Sequence, residues 1–98
     1  MNQGISVHPS VEKELSDAVA FYNAENPDLA EDLLDEIERT IGQIRQYPEA
    51  APLVNRLVRR RLMSRFPYSI VYTVTPEVIR ILAIAHQKRR PFYWRGRR

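Results

Sequence analysis

Apolar positions change their spacing twice along this chain, and each change marks a new kind of element. Ile5–His8 is a short apolar stretch closed by Pro9, which predicts a brief edge strand. From Ser10 the apolar residues Val11, Leu15, Ala18, Val19 and Tyr22 fall on one face of a helix. Ser10 is the expected N-cap, and Glu12 and Glu14 place negative charge at the positive end of the helix dipole. Asn26-Pro27-Asp28 then interrupts and restarts the pattern: a capping side chain, a proline suited to the first helical position, and a first-turn acid. Ala30, Leu33, Leu34, Ile37, Ile41 and Ile44 form the next stripe, which should end near Tyr47 because Pro48 disfavours helical geometry in the residue before it. Residues 10–47 are therefore expected to form an antiparallel αα-hairpin.

Beyond a proline-punctuated connector at residues 48–55 the period becomes that of a strand. Leu57–Arg65 reads as a basic strand. Phe66–Thr75 alternates, with Phe66, Tyr68, Ile70, Tyr72 and Val74 on one face. Val78–His86 follows after the tight turn Thr75-Pro76-Glu77. Turns this short predict an antiparallel meander with the hairpin over one face. The expected fold class is α+β in a single domain over residues 1–98, with the helical hairpin at 10–47 and a basic sheet and tail at 56–98; 98 residues leave no room for two cores.

Composition alters this picture mainly through its asymmetry. The net charge of +3 conceals a first half (residues 1–49) with 11 acids and three bases, and a second half with one acid, Glu77, and 12 bases. The halves carry −8 and +11. Glu31, Asp32, Asp35, Glu36 and Glu38 fall mostly off the apolar stripe and read as a solvated outer face, so no metal site is expected. The chain has no cysteine, which removes disulfides, zinc–thiolate sites and thiol nucleophiles. Charges interrupt every apolar run before membrane-spanning length. Met1-Asn2-Gln3-Gly4 lacks the basic and apolar regions of a secretory signal, so a cytoplasmic protein is expected. Nothing in the pattern calls for a cofactor.

The basic half carries the candidate chemistry. Arg59, Arg60, Arg61 and Arg65 belong to the first sheet strand, Arg80 to the third, and Lys88, Arg89 and Arg90 follow it. Cations beside aromatic residues suit phosphates and bases, and equally an acidic protein partner. His86 ends the third strand, and with Tyr93 and nearby arginines it is a candidate acid or base for metal-free RNA cleavage; a histidine that only caps the strand is the simpler role. His8, beside Pro9, has less claim. Phe92-Tyr93-Trp94 offers a stacking surface or a plug that pins the tail, packing being the expected role for Phe92 and Trp94.

The Asn-Pro turn between two helices, YPEAAPLV, RRRLMSRFPYSIVYTV and VIRILAIAHQKRRPFYW, in this order and spacing, resemble the RelE/ParE superfamily of toxins, components of type II toxin–antitoxin modules often called plasmid stabilisation proteins. The resemblance runs from about Val7 to Trp94. It implies a toxin neutralised by direct binding of a cognate antitoxin, within a higher-order complex. The RelE-like branch cuts messenger RNA on the ribosome without metal; the ParE-like branch binds and poisons DNA gyrase. Tyr93 matches the tail tyrosine of the nucleases, and Arg60 or Arg61 stands for a strand lysine, so His86, Tyr93 and Arg61 are the catalytic set if the chain is a nuclease. Ser69 and Gln87, however, stand where the nucleases place catalytic arginines, and Leu82-Ala-Ile-Ala-His86 looks like the ending of ParE-like toxins. One such cation is worth roughly 10²–10³ in rate, so the resemblance leans toward inhibition of gyrase by binding. The ribosome-dependent endoribonuclease and a degenerate toxin that only binds its antitoxin are the alternatives. The residues implied in antitoxin or target binding are Arg59, Arg60, Arg61, Arg65, Arg80, Lys88, Arg89, Arg90 and Trp94, with Arg59, Arg61, Arg65 and Arg80 assigned to the antitoxin.

Overall fold

A computed structural model describes residues 3–98. In chain order the elements are β1 (Gly4–Val7), α1 (Pro9–Glu25), α2 (Pro27–Gln46), β2 (Val58–Leu62), β3 (Tyr68–Val74) and β4 (Val78–His86). The cap of helix α1 lies two residues earlier than its hydrophobic pattern suggests. His8, not Ser10, is the cap: its backbone is extended and its Nδ1 accepts the Ser10 amide at 3.1 Å. Pro9 enters the first turn because it has no N–H to leave unsatisfied. Asn26 joins the two helices as expected. Its Oδ1 accepts the Asp28 amide at 2.9 Å to start α2, while its own N–H donates to the Tyr22 carbonyl and closes α1. Tyr47 ends α2.

The sheet departs from a three-stranded meander. It has four strands in the order β1-β4-β3-β2, and β1 runs parallel to β4, pairing Ile5 with Ile79 and Val7 with Ile81. The remaining pairs are antiparallel. A four-residue strand carries no local mark of its partner, and the parallel pairing here closes only after both helices and two strands have intervened. Within β4, Tyr72 pairs with Ile81 but Val71 with Ala83, so Leu82 is an extra residue in a β-bulge. The bulge keeps Ile79, Ile81 and Ile84 all facing the helices and turns both Leu82 and Ala83 to the opposite face.

Two apolar clusters result. The larger lies between helices and sheet, built on Leu33, Ile37, Ile44, Ile70, Tyr72 and Ile81. The smaller lies on the open face, where Trp94 packs on Val58, Val71, Leu82 and Ala83. The acidic face of α2 is solvated with one exception. Glu36 is buried, and its Oε2 accepts the Arg65 amide at 2.8 Å, tying α2 to the β2–β3 loop. Conversely Leu34, counted with the stripe, stands 42% exposed. No helix among the described residues is long and apolar enough to cross a membrane.

Candidate functional site: a basic groove on the open sheet face

Alternation along β2 divides its arginines between the two faces. Arg59 and Arg61 point to the helix side. There the Arg59 guanidinium donates to the carbonyls of Glu49 and Ala51, at 2.9 and 2.6 Å, and Arg61 Nε donates to Gln43 Oε1 at 3.1 Å. Arg60 points to the open face. Three further cations are also engaged within the chain. Arg65 pairs with Asp32 at 3.3 Å; Arg80 donates to the Arg98 carbonyl at 3.0 and 3.2 Å; Arg97 meets Glu14 at 3.0 Å and the Leu82 carbonyl at 2.9 Å. Four of the eight basic residues picked from the sequence, Arg59, Arg61, Arg65 and Arg80, thus brace the fold.

What remains converges on one groove of about 450 Å³ on the open face. Arg60, Arg89 and Arg90 line it with His86, Ser69, Gln87 and the tail aromatics, and among the described residues no carboxylate does. Lys88 is exposed beside it, its amide donating to His86 Nδ1 at 3.0 Å. That bond leaves the imidazole proton on Nε2 in the neutral ring. The His86 ring meets Tyr68 edge-on, 5.0 Å between centroids, so His86 sits at the rim, between this groove and a smaller one of about 240 Å³ against α1. Arg61 lies on the far side of the sheet from this groove; of the nuclease set the structure brings together only His86 and Tyr93. Trp94, expected both to pack and to bind, is 6% exposed and belongs to the open-face core.

The Tyr93 hydroxyl does not point freely into the groove. It donates to Glu14 Oε2 at 2.7 Å. Burial, then the hydrogen bond and negative charge of Glu14, push its pKa well above the ordinary 10.0, while Arg89 and Arg97 near the ring pull the other way and do not offset them. Glu14 Oε1 also accepts the Ile84 amide at 3.0 Å. Because β1 pairs with β4 only as far as Ile81, the edge of β4 beyond it has no strand neighbour. Glu14 and Arg97 satisfy that edge in its place, at the Ile84 amide and the Leu82 carbonyl, and bind each other. As a first-turn acid Glu14 suggests only a helix-dipole role, yet it falls three residues after Val11 and four before Ala18, on the buried stripe. An acid at a stripe position was the available signal.

The profile of the ParE toxin of type II toxin–antitoxin system, parDE, matches residues 5–91. The chain belongs to the ParE toxin family. It is 29% identical over 92 residues to Toxin ParE2 of Mycobacterium tuberculosis, in both strain CDC 1551 / Oshkosh and strain H37Rv, the match spanning 93% of this chain and 88% of that protein. Its fold is that of a chain of the chromosomal ParDE TA system from P. aeruginosa, with a TM-score of 0.74 at 19% identity over 86% of this chain and 95% of the other. Ser69 and Gln87 line the groove without adding charge to it.

Proposed function

We propose that this ParE-family toxin acts in the cytoplasm by binding DNA gyrase, and that a cognate antitoxin neutralises it by direct contact within a higher-order complex. The observation that carries this reading over RNA cleavage is the Glu14–Tyr93 hydrogen bond. A phenol that is buried, donated to a carboxylate and raised in pKa is a poor proton acceptor at neutral pH. Ser69 and Gln87 leave the groove without two of the cations that would stabilise a pentacoordinate phosphate. Exposed Leu53, Leu57 and Leu62 along β2 and its approach support a protein partner there. Arg59, Arg61, Arg65 and Arg80, engaged within the chain, are held in place on the surface assigned to the antitoxin.

Purified toxin added to gyrase and supercoiled DNA should trap cleavage complexes, seen as linear DNA after detergent and protease. Cutting of ribosome-bound messenger by the wild type, abolished by Tyr93→Phe, would sink the gyrase reading. Absence of both activities, with antitoxin binding retained, would identify a degenerate toxin.

A further inference from the structure

Three guanidinium groups of the open-face groove serve no structural purpose that the fold reveals. Among the described residues the Arg60 and Arg90 side chains make no hydrogen bond or ion pair, and Arg89 is held only by its cation–π contact with Tyr93, 3.9 Å from the ring centroid. That contact orients the charge without neutralising it. Like charges on a concave wall with no acid among its described lining residues favour positive potential there, although Arg89 also faces the adjoining groove that Glu14 and Asp17 line.

The lip of the groove carries a second feature. Phe92 has φ +60°, a conformation that residues other than glycine rarely adopt, and the residue remains 42% exposed although Trp94, two residues on, is buried. The ring is buttressed rather than covered: Trp94 meets it at 5.5 Å and the Arg95 guanidinium at 5.3 Å. An unusual backbone that holds an aromatic ring outward beside unpaired cations calls for a ligand with both charge and flat apolar surface. An acidic peptide answers the charge alone. A nucleic-acid strand answers both.

We propose that this groove binds a single-stranded segment of nucleic acid, with Arg60, Arg89 and Arg90 on successive phosphates and a base stacked on Phe92. The strand is held and not cut, because the Tyr93 hydroxyl is committed to Glu14. The proposal goes beyond the gyrase reading and is tested without gyrase, so either can fail alone.

The experiment is fluorescence anisotropy of the full chain with a labelled DNA strand of about a dozen nucleotides, against salt. Three phosphate contacts predict a slope of log K on log salt near −2, at ~0.7 per contact. Arg60→Ala with Arg90→Ala should reduce its magnitude by about 1.4. Arg45→Ala with Arg56→Ala, which removes the same charge from exposed positions outside the groove, should leave the slope unchanged. Phe92→Asn, a residue that tolerates positive φ, should weaken binding about tenfold at constant slope. An RNA strand in place of DNA distinguishes the two sources of the same backbone, and binding of either supports the site. Equal losses from the two arginine pairs, a duplex bound as tightly as the single strand, or displacement by polyglutamate at equal charge concentration would each overturn it.

Discussion

Glu14 shows how much one side chain can organise in a domain of this size. It accepts the amide of Ile84, the hydroxyl of Tyr93 and the guanidinium of Arg97, and so joins α1, the edge of β4 and the C-terminal tail. Side chains of Glu14 and Arg97 are only 11% and 17% exposed, so water cannot replace these partners cheaply. Glu14→Ala should therefore destabilise the chain by about 3 kcal/mol, as breaking one side of a buried pair does. Urea unfolding measures this, and Glu14→Ala combined with Arg97→Ala should cost clearly less than the two changes summed. A loss of under about 0.5 kcal/mol for Glu14→Ala would mean that the contact is ornamental. Glu36 teaches the same lesson on α2. It lies three residues after Leu33 and four before Thr40, both buried, and it holds the Arg65 amide. The spacing that puts Glu14 on a stripe is visible in the sequence, and so is that of Glu36, although its acidic neighbours read as a solvated face and it is buried. The partners described above, from Arg65 at 29 residues to Tyr93 at 79 and Arg97 beyond it, were not, since no local pattern encodes which backbone amide will be left without a neighbour.

At the scale of elements, legibility followed punctuation. The α1–α2 junction was readable because Asn26, Pro27 and Asp28 each have a local reason to be there, and the structure uses Asn26 for both helices at once. Asn26→Ala should cost about 1 kcal/mol, and Asn26→Asp almost nothing, because a carboxylate accepts the Asp28 amide as well as an amide oxygen does. For a domain of this length that is a fall in Tm of roughly 4–8 °C for alanine, which a thermal melt resolves. The bounds of β4 were equally readable, whereas its bulge was not. Strict alternation from Ile79 would have turned Ala83 inward and Ile84 outward; the extra Leu82 restores Ile84 to the main core and puts His86 against Tyr68. Period-two reasoning has no symbol for an added residue, so the side of the sheet that His86 occupies had to come from the three-dimensional register. The same alternation, applied to β2, does separate Arg60 from Arg59 and Arg61, and that separation defines the candidate groove.

The whole molecule is an acidic hairpin laid on a basic sheet, and the ties between these layers include phenols as well as ion pairs. Tyr72 donates to the Pro48 carbonyl at 2.9 Å, joining β3 to the chain leaving α2, and Tyr93 joins the tail to α1. Tyr68 packs edge-on against Tyr22 of α1. All three phenols have pKa values raised above 10.0, first by burial; Tyr68 is raised further by Tyr22 and Asp17, Tyr93 by Glu14, while Arg59 and Arg61 partly oppose the shift at Tyr72. A raised phenol binds its proton more tightly folded than unfolded. Its contribution is therefore complete below the unfolded value near pH 10.0 and is lost as the pH climbs from there toward the folded value. Stability should thus hold from neutrality to about pH 9 as far as tyrosines are concerned, then fall steeply. Absorbance of tyrosinate should rise in two stages, Tyr68, Tyr72 and Tyr93 ionising only as the fold is lost. Tyr93→Phe should make the alkaline fall shallower, whatever it does to stability at pH 7, because one of the three coupled protons is gone. Urea unfolding of both proteins between pH 8 and 11 decides the matter: parallel curves would show that Tyr93 is not held in the folded state as its bond to Glu14 requires.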